Sequence, residues 1–157
     1  MEHQYVAFCL EQETYGINIK CVSEIIRMQP VTRMPKNPDF VEGIINLRGR
    51  IIPVIDLKKQ FGLGGVKESS DTRIMVVEMG YEIVGMIVEK VIAVLSLEEN
   101  KIESAAAIES KINTGFIQGI GHWNDRLIIL LETEKILKDQ ELKQLGQMDL
   151  EQEEDVG

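Results

Sequence analysis

The sequence predicts a mainly β protein with short helices, in which two similar small barrels form one unit. Three observations point there. Apolar runs extend no further than about six residues before a Gly, Pro or charged turn interrupts them. Only 5% of residues are aromatic, so the core has to be built from Ile, Val, Leu and Met. The pattern also repeats. Phe40-Val41-Glu42-Gly43-Ile44 aligns with Phe116-Ile117-Gln118-Gly119-Ile120 at an offset of 76 (116 − 40), and without a gap Gly49 to Asp56 then lies over Asp125 to Glu132. A weaker match at an offset of 69 (82 − 13) sets Glu13, Gly16 and Val22 over Glu82, Gly85 and Val91. Small barrels remove exposed strand edges, which suits a chain so rich in Ile and Val.

The elements follow in order. Tyr5 to Leu10 and Thr14 to Ile19 flank Glu11-Gln12-Glu13 and read as a hairpin. Ile19, Val22, Ile25 and Ile26 recur at helical spacing and predict a short amphipathic helix ending before Pro30. Met28 to Phe40, with Pro30, Pro35 and Pro38, is a connecting loop. Gly43 to Leu47 and Ile51 to Ile55 form a second hairpin about Arg48-Gly49-Arg50, and Pro53 argues for an edge position or a bulge. Asp56 can N-cap a helical turn, Leu57 to Phe61, stopped by Gly62, and Gly62 to Asp71 is the best internal boundary. Strands follow at Ile74 to Met79, Ile83 to Val88 and Val91 to Leu95. Lys101 to Thr114 is an irregular, Ala-rich loop with a helical turn. Phe116 to Ile120 and Leu127 to Leu131 form another hairpin, and Glu132 or Thr133 opens a helix to about Leu145. The organisation is one domain over 1–145, with approximate lobes 5–71 and 72–137 between which strands can be exchanged. A disordered acidic tail is expected over 146–157.

Composition excludes several functions. Net charge is −9, and no basic face suited to phosphates is evident, so nucleic acid is not an expected partner. Cys9 and Cys21 sit among apolar residues without metal or redox spacing, and Met1-Glu2-His3-Gln4 lacks a secretory pattern, so a reducing cytoplasm is expected. His3 and His122 belong to no nucleophile or metal motif, with His122 read as a surface turn residue. Gly62 to Gly65 and Gly115 to Gly121 do not form a phosphate-cradling junction. No catalytic, metal-binding or cofactor-binding residue is assigned, which leaves a binding module.

The segment Phe40 to Leu57, with Gly43, Asn46-Leu47-Arg48-Gly49, Pro53 and Asp56-Leu57, resembles the signature of the CheW-type coupling proteins of bacterial chemotaxis. Tyr15-Gly16-Ile17-Asn18-Ile19, Val22-Ser23-Glu24-Ile25, the Pro-rich connector Val31 to Pro38, Val94 to Leu97 and Gly119 to Gly121 extend the likeness over about residues 5 to 140. The resemblance implies two SH3-like five-stranded barrels, pseudo-symmetric about a shared core, plus a C-terminal helix. It implies a cytoplasmic adaptor without cofactor or membrane insertion, recruited to membrane-associated or soluble receptor arrays. That adaptor would hold the cytoplasmic tip of methyl-accepting chemoreceptors and the regulatory domain of the chemotaxis histidine kinase. In such kinases that domain follows catalytic and phosphotransfer domains, which 157 residues cannot contain, so a full-length chain of this size is expected to be the free adaptor.

By the same resemblance the receptor-binding residues are Val22, Glu24, Ile25, Gly43, Asn46 and Arg48. Val22 and Ile25 read equally as the core stripe of a helix, and Asn46 as a hairpin stabiliser. The Arg48 guanidinium can hold a carboxylate in two parallel bonds, with Glu24 as its partner within the chain. The counterpart of this hairpin, His122-Trp123-Asn124-Asp125, lacks the Arg. An adaptor of another signalling or motility pathway, or a small ligand-binding or hydrolytic barrel, are the competing readings.

Overall fold

Strands such as Tyr5 to Leu10 carry apolar side chains at almost every position, which is the pattern of strands buried on both faces. The computed structural model, which describes residues 2–104 and 115–156, accounts for it. One sheet holds six strands: β1 (Glu2–Leu10), β2 (Glu13–Asn18), β8 (Lys90–Glu98), β9 (Ile102–Ser104), β10 (Ile117–Trp123) and β11 (Arg126–Leu131), in the order β8-β1-β2-β11-β10-β9. The other holds five: β3 (Val22–Arg27), β4 (Val41–Leu47), β5 (Arg50–Asp56), β6 (Arg73–Met79) and β7 (Glu82–Val88), in the order β3-β6-β7-β5-β4. Two helices, α1 (Leu57–Gln60) and α2 (Asp139–Val156), complete the described elements with three short 3-10 turns.

Each sheet surrounds a cluster of its own, and a third cluster lies between them. On β1, Tyr5 and Ala7 pack with Leu95, Leu97, Ile128 and Leu130 inside the six-stranded sheet, whereas Val6, Phe8 and Leu10 enter the shared core. On β6, Ile74 and Val76 pack with Ile45, Ile52 and Val54, whereas Met75, Val77 and Met79 enter that same shared core. The period of two is therefore present, but both phases are apolar. Phe8, Tyr15, Phe61 and Phe116 follow one another at centroid distances of 5.9, 5.7 and 4.6 Å, the outer two pairs stacked and the middle one tilted, joining β1 and β2 to the end of α1 and the approach to β10.

The sequence repeat is a repeat of pairing. Shifted by 69 or 76, strands β3, β6, β7, β5 and β4 become β8, β1, β2, β11 and β10, which reproduces the strand order of the other sheet. The parallel pair Val54↔Gly85 maps onto Leu130↔Gly16, and the bulge between Val41 and Gly43 maps onto that between Ile117 and Gly119. The sixth strand, β9, has only a trace in the smaller sheet, the isolated bridge Thr32↔Ile44. A boundary at residue 71 does not divide the sheets. Strands β1 and β2 pair with β8 and β11, while β6 and β7 pair with β3 and β5, so each sheet draws strands from both sides of the loop.

Four local expectations change. The helix expected from Ile19 is a 3-10 turn, Ile19–Cys21, followed by strand β3. Pro53 lies on β5, an interior strand; it is tolerated because parallel pairing with β7 begins one residue later, at Val54, beside the bulge in β4. After the 3-10 turn Thr133–Lys135, the C-terminal helix begins only at Asp139 and runs to Val156, through the acidic residues expected as a disordered tail. Met148, inside that stretch, is buried in the shared core with Leu145, which gives the helix an anchor. In the segment expected as an irregular loop, Ile102–Ser104 is β9, and 105–114 lie outside the described residues. The helical turn after Asp56 is as expected: the Asp56 carboxylate accepts the Lys59 amide at 3.1 Å and the Val66 amide at 2.9 Å.

Candidate functional site

The β4–β5 turn is a two-residue reversal with Arg48 at φ 52° and Gly49 at φ 85°, between the paired residues Leu47 and Arg50. Left-handed backbone at both central positions is what a tight hairpin turn demands, and Gly49 supplies it without strain. Asn46 completes the turn, its side-chain oxygen accepting the Gly49 amide at 2.8 Å. Arg48, by contrast, adopts a conformation that costs an L-residue with a long side chain about 1–2 kcal/mol. The turn thereby presents the guanidinium, whose side chain is 71% exposed.

Its fork is not free. Arg48 donates through one terminal nitrogen to the Glu24 carboxylate on β3. Because β3 and β4 are the two edges of the five-stranded sheet, the pair links one edge to the hairpin at the other. The bond to Glu24 also raises the already high pKa of Arg48. The remaining N–H groups of an exposed, oriented guanidinium can donate to a second carboxylate or a carbonyl from outside.

The six residues expected at a receptor contact fall into three groups. Glu24, Asn46 and Arg48 are brought together around the hairpin. Ile25, 39% exposed, is on the outward phase of β3 with Ser23 and Arg27, whereas Val22, Glu24 and Ile26 are half-buried. Val22 and Ile25 therefore do not share a helical face, and Val22 packs against the shared core. Gly43 is buried. A Cβ there would stand 2.3 Å from the Thr32 carbonyl oxygen, since the connector bonds across it through Thr32 and Ile44 at 2.9 and 2.8 Å. The glycine is required by that close approach of backbone to backbone.

In the counterpart turn, Asn124 (φ 47°) and Asp125 (φ 60°) repeat the geometry with residue types that tolerate it, and no guanidinium is displayed. Beside it His122, at the end of β10 rather than within the turn, contacts the Glu103 carboxylate at 3.1 Å. Among the described residues no group of three or more His, Cys, Asp or Glu is placed to hold a metal, and no helix is long and apolar enough to cross a membrane.

Sequence reading missed one cluster. Lys58 on α1 has a buried side chain, 6% exposed, whose ammonium reaches Glu11 at 2.8 Å and Glu89 at 3.6 Å. Glu89 also accepts the Glu11 amide at 2.7 Å. The hydrogen bond to Glu11 raises the Lys58 pKa, and the same bond holds the Glu11 carboxyl below its ordinary value. No local signal marks it, because its three members come from segments far apart in sequence.

Two duplicated, interlocked sheets with an oriented but non-nucleophilic hairpin define a binding module. The model of the CheW-like domain matches residues 4–141. Chemotaxis protein CheW of Klebsiella aerogenes is 37% identical over 139 residues, 88% of this chain and 84% of the relative. That of Helicobacter pylori is 35% identical over 135 residues, 86% and 81% of the two chains. Among solved structures, scaffolding protein TtCheW from Thermoanaerobacter tengcongensis superposes with a TM-score of 0.79 at 41% identity, covering 88% of this chain and 94% of that one. The chain belongs to the CheW-like domain family. That family is one of scaffolds and adaptors, and the chain is not an enzyme.

Proposed function

We propose that this chain is a cytoplasmic adaptor that couples methyl-accepting chemoreceptors to the chemotaxis histidine kinase, so that receptor state controls autophosphorylation. The helical cytoplasmic tip of the receptor is its first partner and the kinase's regulatory domain its second. Coupling of this kind needs two docking faces held in fixed relation, with contacts that differ between two signalling states. The observation that carries the receptor side is the Arg48 turn: an uncommon left-handed arginine, exposed and aimed by Glu24, on a hairpin whose counterpart has none. Glu24, Asn46 and Arg48 form the polar part of the receptor contact, and Ile25 with the neighbouring Val22 and Gly43 region forms its apolar part.

The test is Arg48→Glu, measured in a receptor and kinase pull-down with phosphorylation as readout. Arg48 is exposed, so the fold is expected to persist, while receptor capture falls about tenfold or more, as for an arginine at the centre of an interface. The exchange Glu24→Arg with Arg48→Glu restores the internal pair but not the outward charge, and is expected to remain defective. Wild-type activation by Arg48→Glu would sink this reading.

A further inference from the structure

The Lys58 cluster stands where two ladders end, β1 with β8 at Cys9↔Lys90 and β5 with β7 at Asp56↔Ile87, and it joins the β1–β2 turn to α1, which no strand pairing connects. Glu11 belongs to the β1–β2 turn of the six-stranded sheet, Lys58 to the helix that follows β5 of the five-stranded sheet, and Glu89 to the single residue between β7 and β8, where the chain crosses from one sheet to the other. A buried ammonium must be paired, so the three segments are held to one arrangement. The arrangement is one-sided. The repeat places Gly80, Glu134 and Lys20 where Glu11, Lys58 and Glu89 stand, at offsets of 69, 76 and −69. Gly80 has no side chain, Glu134 and Lys20 are exposed, and among the described residues neither makes an ion pair.

We propose that Lys58, with Glu11 and Glu89, is an asymmetric lock between the two sheets that sets the relative position of the adaptor's docking faces, leaving the opposite junction, at Lys20 and Glu134, as the side that can give. The proposal rests on the coupling function above and adds a positioning residue to it. Lys58 touches no partner; it acts through the β1–β2 turn and the β7–β8 crossing. With the lock removed, both faces keep their own side chains, so each partner still binds, but the two are no longer presented at a fixed angle.

The experiment compares Lys58→Met, Lys58→Arg and the milder, exposed-side Glu11→Gln in the full chain. Kinase activation is titrated to saturating adaptor, so that loss of affinity or of folded fraction alone is overcome. Receptor capture and amide exchange are followed alongside. Lys58→Met and Glu11→Gln should each lower the saturating activation at least about twofold while receptor capture stays at wild type, as a change in the coupling between sites requires. Lys58→Met should also speed exchange of the Glu11 amide by about tenfold, because the Glu89 acceptor is no longer held. Lys58→Arg should restore most of the activation. Should Lys58→Met fail to fold, Glu11→Gln decides alone. Wild-type saturating activation by the folded variants overturns the lock, provided that Arg48→Glu is defective in the same assay. If Arg48→Glu is also fully active, the coupling function itself is overturned.

Discussion

At the scale of single residues, two glycines six residues apart (49 − 43) on the β4–β5 hairpin serve different needs. Gly49 sits at φ 85° with nothing near a would-be Cβ, so its requirement is conformational. Gly43 has backbone directly in the way, 2.3 Å from a would-be Cβ, and also sits at φ 154°, so a steric requirement is added to the conformational one. Gly49→Ala should therefore destabilise by about 1–2 kcal/mol, the cost of a left-handed L-residue. Gly43→Ala should cost about 1–3 kcal/mol as an overpacked core position does, and should also release the Thr32 bridge. Urea unfolding gives the two stabilities, and amide exchange at Thr32 and Ile44 separates the causes: it should quicken in the Gly43 variant only. The repeat supplies a control. Gly119, whose would-be Cβ meets the Glu103 carbonyl oxygen at 2.4 Å without a positive φ, should show the steric part of the Gly43 effect alone. The turn itself could be read from the chain, since Arg48-Gly49 between apolar runs is a hairpin pattern and Asn46 a turn residue. The clash at Gly43 could not, because it depends on a proline-rich connector folding back from residues about ten positions earlier.

At the scale of elements, β3 shows how a strand can imitate a helix. Ile19 belongs to a 3-10 turn, and the pairing of β3 with β6 slips between Val22 and Glu24, leaving Ser23 as the extra residue. A helical turn followed by a bulge changes the phase of the apolar positions once, and one change of phase over eight residues produces spacings of three and four. Ile25 adds to the confusion, because it is apolar on the outward phase. Its partner strand, β6, lies some fifty residues further on, so the pairing that decides the matter is non-local. Strand geometry makes a clear prediction. Ile25→Thr, outward on an edge strand, should change stability by no more than about 0.5 kcal/mol, whereas Ile74→Ala, opposite Ile26 on β6 and fully buried, should cost about 2–5 kcal/mol. Were Ile25 on the buried stripe of a helix, both losses would be large. Thermal and urea unfolding of the two variants distinguish these outcomes.

At the scale of the whole molecule, the duplication was legible as sequence offsets, because a repeated strand order preserves residue spacing. The exchange of hairpins between the sheets was foreseen only as an option, because identical offsets fit exchanged and unexchanged pairing equally well. Exchange ties the halves together by backbone ladders on both sides, and the Lys58 cluster adds a tie on one side only. That tie carries a pH signature. The Glu11 carboxyl is held below its ordinary value of 4.5, chiefly by the hydrogen bond from Lys58, so its share of stability is present above about pH 4.5 and is lost as pH falls through the lowered value. The Lys58 ammonium is raised above its ordinary 10.5, chiefly by the same bond, so its share is complete below that pH and is lost as pH rises through the raised value. A chain with net charge −9 also sheds self-repulsion on mild acidification, which moves wild type and variants together. The informative quantity is therefore the difference in unfolding free energy between wild type and Lys58→Met. It should be level from about pH 5 to about pH 10 and shrink on either side, with Glu11→Gln removing the acid limb. Urea unfolding at intervals from pH 3 to 7 reads that limb directly, and a difference that stayed level down to pH 3 would show that Glu11 and Lys58 are not paired in the folded protein.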